Sequence, residues 1–131
     1  MHMAWLRFIG GQLESRYRYS IGIVYNTFPW PALDDAARRK LSACGQAILA
    51  ARANHAGSTL ADLYDPLAMP PALRRAHEAN DAAVDRLYSP GRFPSDRARV
   101  EHLMARYEQA TAALLAAAPP RRRAIRGRAT T

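Results

Sequence analysis

The stretch SIGIVYNTFPWPALDDAARRK, residues 20–40, contains a change of period on which the fold turns. Its first half is β-branched and aromatic, the composition of a strand or an irregular extended segment. Pro29 and Pro31 then remove two backbone donors and bias Phe28 and Trp30 away from helix, so regular structure stops at FPWP. Beyond it the spacing turns helical. Asp34 is placed to cap, and Leu41, Cys44, Ile48, Leu49 and Arg52 recur at intervals of three and four. A domain boundary is expected near residue 32, with a helix over residues 34–54 after it.

Downstream, Ser58 is placed to cap a short helix through STLADLY, which Asp65-Pro66 breaks. In LADLYDPLAMPPALRRAH, residues 60–77, Asp65 suits an Asx turn, Leu67 and Met69 are expected in the core, and Pro71 suits a first helical turn. Leu73, Ala76, His77, Asn80, Val84, Leu87 and Tyr88 share one face up to Ser89-Pro90-Gly91. A last helix, capped by Ser95 with Asp96 in its first turn, carries Val100, Leu103, Met104, Tyr107, Thr111, Leu114 and Leu115 and stops at Pro119-Pro120. The expected fold is therefore mainly α: a small bundle of three to four helices over residues 33–118, preceded by a short extended or β segment. That segment, residues 1–32, offers one helix and one or two strands, and a lone hairpin is marginal in water. It reads as part of an incomplete domain. RRRAIRGRATT is low-complexity, and residues 119–131 are expected to be a basic disordered tail.

Upstream of the quoted stretch lies QLESRYRYS, residues 12–20, with Glu14, Arg16 and Arg18 at alternate positions. On one strand these would form a single charged row, with Leu13, Tyr17 and Tyr19 facing the other way. Arginine can donate twice to the N7 and O6 of guanine, and glutamate can accept from the N4 amine of cytosine, each contact worth about 1 to 3 kcal/mol of discrimination. The bland alternative is a solvated same-face ion pair worth well under about 1 kcal/mol, and the residues taken alone favour it. Arg7 suits a phosphate better than a base.

Lys+Arg minus Asp+Glu is 19 − 11 = +8, but Arg121, Arg122, Arg123, Arg126 and Arg128 lie in the tail. The body carries only about +3, so net charge alone does not argue for nucleic acid. Cys44 is the only cysteine, which excludes an internal disulfide and a cysteine-based zinc site within one chain and fits a reducing compartment. No leader-like or membrane-spanning run of about 18 apolar residues is present, and the expected location is cytoplasmic. Gly10-Gly11 lacks the Lys and Ser/Thr of a phosphate loop, the only lysine, Lys40, sits in a helix start, and no Gly-x-Ser-x-Gly occurs. The histidines are scattered without zinc spacing, and Cys44 sits on an apolar stripe. No metal site and no catalytic residue are expected. Asp62 and Asp65 could be read as an acid/base pair, but nothing nearby would separate their pKa values.

Several long ordered strings carry a resemblance. MHMAWLRFIGG, YRYSIGIVYNTFPWP, GQAILAAR, STLADLYDPLAMPPALRRAHEANDAAVDRLY and VEHLMARYEQ resemble the C-terminal end of MmeI-type restriction-modification enzymes over about residues 1–110. The resemblance implies that residues 1–32 end a DNA target recognition domain and that residues 33–118 form a C-terminal helical domain. It also implies a parent that is an adenine-specific DNA methyltransferase using S-adenosylmethionine, with or without a fused nuclease. The Asn-Pro-Pro-Tyr loop and glycine-bearing cofactor strand of that family are absent here, so this chain is expected to hold no cofactor and to catalyse nothing alone. The implied partners are double-stranded DNA and the rest of the parent methyltransferase. With the resemblance added, Glu14, Arg16 and Arg18 become candidate base readers.

Two other functions remain open at this point. One is a stand-alone helical protein-interaction module docking through its apolar front segment, through which self-association is also expected. The other is nonspecific nucleic-acid binding through the arginine tail, which would be sequence-blind and fall steeply with salt.

Overall fold

The structure, a computed structural model, describes residues 1–14 and 16–117. The elements run α1 (His2–Ile9), β1 (Gly11–Leu13), β2 (Arg16–Arg18), a π-helical turn (Ile21–Tyr25), α2 (Asp35–Ala53), α3 (Leu60–Leu63), α4 (Pro71–Asp85) and α5 (Asp96–Ala117). The chain is mainly α with one small antiparallel sheet near its start, the expected class.

The capping chemistry explains the helix starts. Asp34 accepts from the Ala37 amide at 2.7 Å and opens α2, Pro71 occupies the first turn of α4, and Ser95 accepts from the Ala98 amide at 3.2 Å to open α5. At α3 the cap is Thr59 and not Ser58. Thr59 and Asp62 form a reciprocal capping box, which satisfies two end donors at once where Ser58, one residue too early, could not. The hydrogen bonds from Thr59 hold the Asp62 carboxyl below its ordinary pKa. Asp65 makes the expected Asx turn, accepting from the Leu67 amide at 2.7 Å. Both carboxylates therefore serve local backbone structure.

SIGIVYNTF is not a strand. The Asn26 amide donates to the Ile21 carbonyl at 2.9 Å and the Val24 amide to Ser20 at 2.7 Å, so the segment winds into a single wide turn. Ser20 Oγ accepts from the Ile23 amide and caps it. A strand needs a neighbour to satisfy its backbone, and this segment satisfies its own. Only Val24 of the apolar run is fully buried; Ile21, Ile23 and Tyr25 face outward.

The helices divide between two cores. Trp5 and Leu6 of α1, Val24, Phe28, Tyr88 and Leu103 of α5 form one, flanked by Val84, Leu87, Phe93, Met104 and Tyr107. Ala51 of α2, Leu63 of α3 and Leu73 of α4 form the other, flanked by Ile48, Met69 and Ala76. Thus α2 pairs with α4, while α5 lies against α1. The front segment supplies one wall of a core whose other wall comes from the end of α4 and from α5. Met69 reaches the second core as expected, but Leu67 is 98 % exposed, because the Asx turn that ends α3 turns it outward. Leu114 and Leu115 are also exposed and join neither core. The expected stop at Pro119-Pro120 and the basic tail lie outside the described residues.

Candidate nucleic-acid interface

The hairpin follows α1 with no linker. A Cβ at Gly10 would fall onto the Leu6 carbonyl oxygen and 2.8 Å from Leu6 Cδ1, so only glycine lets the chain leave α1 at this angle. The strands then pair Gly11 with Arg18, Gln12 with Tyr17 and Leu13 with Arg16. Residues directly opposite share a face. Arg16 and Arg18 therefore share one face with Leu13 and Gly11, and Gln12 and Tyr17 occupy the other.

This register corrects the row read from the sequence. Glu14 is not on the strand with the arginines; it stands where the chain reverses, at φ 57, a left-handed conformation that a residue with a Cβ seldom adopts. Leu13 also falls on the arginine face, because the reversal puts it opposite Arg16. The sequence showed the alternation and concealed the turn, since ESR lacks the Asn-Gly or Asp-Gly signal of a tight hairpin. Glu14 and Arg16 are exposed at the free end of the hairpin, and Arg18 is exposed at its base, opposite Gly11. A hollow of about 290 Å³ lies under the hairpin's base, lined by Gly10, Gly11, Arg18, Ser20, Ile23 and Val24.

Behind the hairpin is an aromatic assembly. Tyr19 OH lies 3.1 Å from His2 Nε2, and the His2 ring stacks on Trp30 at 5.6 Å and meets Phe28 edge-on at 4.6 Å. Burial, and secondarily the neighbouring amino terminus, pushes the His2 pKa below its ordinary value, so the ring is neutral at pH 7. Both tyrosines are exposed, and of the two Tyr19 is the one tied to α1, through its hydroxyl to His2. Tyr88 and Trp5 continue the assembly inward, and burial pushes the Tyr88 pKa up to about 12.

Arg7 stands apart from the hairpin residues. Its Nη1 donates to Asp96 Oδ2 at 2.6 Å, with both side chains about half exposed. Asp96 in turn accepts from Arg99 Nη1 at 3.1 Å, and Arg99 donates through Nη2 and Nε to the two oxygens of Asp85 at 2.6 and 3.3 Å. Asp85 is the one buried charged residue among those described, and its pairing raises the Arg99 pKa. The sequence marked Asp96 only as a first-turn acid of the last helix, and it did not disclose the pairing of Asp96, Arg99 and Asp85. The usable signal was an acid beside Val84, Leu87 and Tyr88, since a carboxylate among apolar residues needs a cationic partner.

Among the described residues, no group of three or more His, Cys, Asp or Glu side chains could hold a metal ion, and no helix is long and apolar enough to cross a membrane.

The model of the MmeI C-terminal domain matches residues 33–115, and that of the MmeI target recognition domain matches residues 1–32. This chain belongs to the MmeI C-terminal domain family. As a member of that family it is 41 % identical over 111 residues to DNA methyltransferase A of Bacillus subtilis (strain 168), matching 85 % of this chain but only 12 % of that protein. The solved structure of the Type IIL restriction-modification enzyme MmeI in complex with DNA superposes with a TM-score of 0.80 at 42 % identity, covering 85 % of this chain and 15 % of that one. The resemblance carried by VYNTFPWP and LADLYDPLAMPPALRRAH is borne out, and this MmeI-family chain spans a small C-terminal-type portion of much longer relatives.

Proposed function

We propose that the chain is the DNA-recognition and scaffolding end of a restriction-modification DNA methyltransferase, and that it contributes sequence-specific contacts to double-stranded DNA without a catalytic centre of its own. The observation that carries this is the hairpin: two arginines on one face and a glutamate at the turn, all exposed, in the segment matched by a target recognition domain. A two-stranded ribbon of this width fits a major groove, where Arg16 and Arg18 can donate to guanine and Glu14 can accept from cytosine. The relative whose structure fits this chain so closely was solved with DNA. Arg7 is half exposed, so a donor left over from its pair with Asp96 can still meet a phosphate. The adenine-methylating chemistry and its S-adenosylmethionine belong, in this reading, to the parent polypeptide, because the Asn-Pro-Pro-Tyr loop is not among these residues.

The test is substitution in the complete enzyme. Arg16→Ala and Glu14→Lys should each relax or change one base position of the recognition sequence, read by methylation or binding of a randomised duplex library. Uniformly weaker binding to every duplex, with the preferred sequence unchanged, would reduce these residues to backbone contacts and overturn the reading.

The outward Ile21, Ile23 and Trp30 favour a second reading, a protein-docking module with no DNA role. Such a module would show little binding to any duplex even at low salt.

A further inference from the structure

The chain of charges Arg7–Asp96–Arg99–Asp85 crosses three helices, and its placement has a bearing on the hairpin. Arg7 is in the last turn of α1, three residues before the Gly10 at which the hairpin departs. Asp96 opens α5, and Asp85 closes α4. Every link is within hydrogen-bond distance: 2.6 Å from Arg7 to Asp96, 3.1 Å from Arg99 to Asp96, and 2.6 Å from Arg99 to Asp85. The inner pair is largely buried, and the outer one is half in water.

We propose that Asp96 and Arg99, with Arg7, are positioning residues that fix the angle of the hairpin on the helical part and so set which base edges Arg16 and Arg18 reach. The proposal rests on the base-reading function of the hairpin given above. The hairpin packs extensively only on itself, so its direction is inherited from α1 through Gly10. Apolar packing has no direction of its own, and the directional contacts of α1 besides Arg7 lie toward its start and middle, His2 with Tyr19 and Trp5 Nε1 donating to Thr27 Oγ1 at 3.3 Å. The ion pair of Arg7 with Asp96 fixes the end of α1 from which the hairpin leaves. Asp96 is held for the purpose by Arg99, whose planar fork bridges it to a buried carboxylate. Arg7, read from the sequence as a phosphate contact, then acts chiefly as the outer strut of this brace.

The outer link can be cut without emptying the core, because Arg7 and Asp96 are half exposed. In the 131-residue chain, Arg7→Gln and Asp96→Asn should each move the backbone amide resonances and residual dipolar couplings of Gly10 to Arg18. Those of Leu63 and Leu73 should stay in place. The conservative Arg7→Lys, which keeps a cation opposite Asp96, should leave the hairpin most of the way in place. In the complete enzyme, Asp96→Asn should lower the preference for the cognate duplex over single mismatches by about tenfold, with affinity for unrelated DNA unchanged. Hairpin couplings unmoved by both single variants, or couplings moved with no loss of discrimination while Arg16→Ala does lose it, would overturn the brace. Failure of the base-reading function is a separate result: Arg16→Ala would leave sequence preference intact while the brace variants still reorient the hairpin.

Discussion

Glu14 adopts a backbone conformation that costs a residue with a Cβ roughly 1 to 2 kcal/mol, and it does so at the exposed reversal of the hairpin, where glycine or asparagine would sit without strain. Glu14→Gly should therefore raise stability by about 0.5 to 1 kcal/mol after the extra chain entropy of glycine is counted, a few degrees in thermal midpoint. If the carboxylate reads a base, the same variant loses one position of sequence preference while melting higher, and calorimetry with a binding assay checks both. A fall in midpoint would mean that the side chain itself holds the turn. Magnitudes also sort the charge chain. The Arg7–Asp96 pair, half in water, contributes about 0 to 1 kcal/mol, whereas leaving Asp85 buried without Arg99 costs about 3 to 5 kcal/mol. The inner pair is therefore a matter of folding and the outer one a matter of aim.

Helices were legible in the sequence because their signals are local. Asp34, Pro71 and Ser95 each mark a start by chemistry that acts within one turn, and the three–four spacing of α4 and α5 gives their buried stripes directly. The misses have physical causes of the same local kind. SIGIVYNTF has strand composition, but it has no partner strand among the described residues and closes hydrogen bonds on itself. Leu67 has core composition, but an Asx turn decides its direction. What no spacing discloses is the division into two cores, since it depends on which helix faces which. That division predicts separable behaviour. Leu103→Ala and Leu73→Ala both empty a fully buried site and should each cost about 2 to 5 kcal/mol. Hydrogen exchange should show the first loosening α1, α5 and the hairpin base, and the second loosening α2, α3 and the start of α4. Equal loss of protection everywhere from either variant would mean that the two cores open as one unit.

At the scale of the whole molecule, the distribution of apolar surface is lopsided. Leu13, Ile21, Ile23, Tyr25 and Trp30 are all outward on the front segment, with exposures between 49 and 72 %. Fully covering one isoleucine is worth about 1.5 to 3 kcal/mol, so a face carrying two of them beside aromatic rings has a strong tendency to be covered. Longer relatives supply a candidate cover in the seven-eighths or so of their length that lies outside the match, given that the chain spans 12 % of one and 15 % of another. Isolated from such a cover, the 131-residue chain should self-associate in a concentration-dependent way, with hydrogen exchange slowed at Ile21 to Tyr25 in the associated form. Replacing both isoleucines, Ile21→Ser with Ile23→Ser, should restore a monomer in sedimentation velocity without lowering the melting midpoint, because neither side chain contributes to a core. The charged side of the hairpin opposes stacking of two copies through Arg16 and Arg18, so association should strengthen with added salt, the reverse of tail-driven binding to nucleic acid. A chain that stays monomeric at every concentration and salt would show that the outward isoleucines are tolerated as ordinary surface.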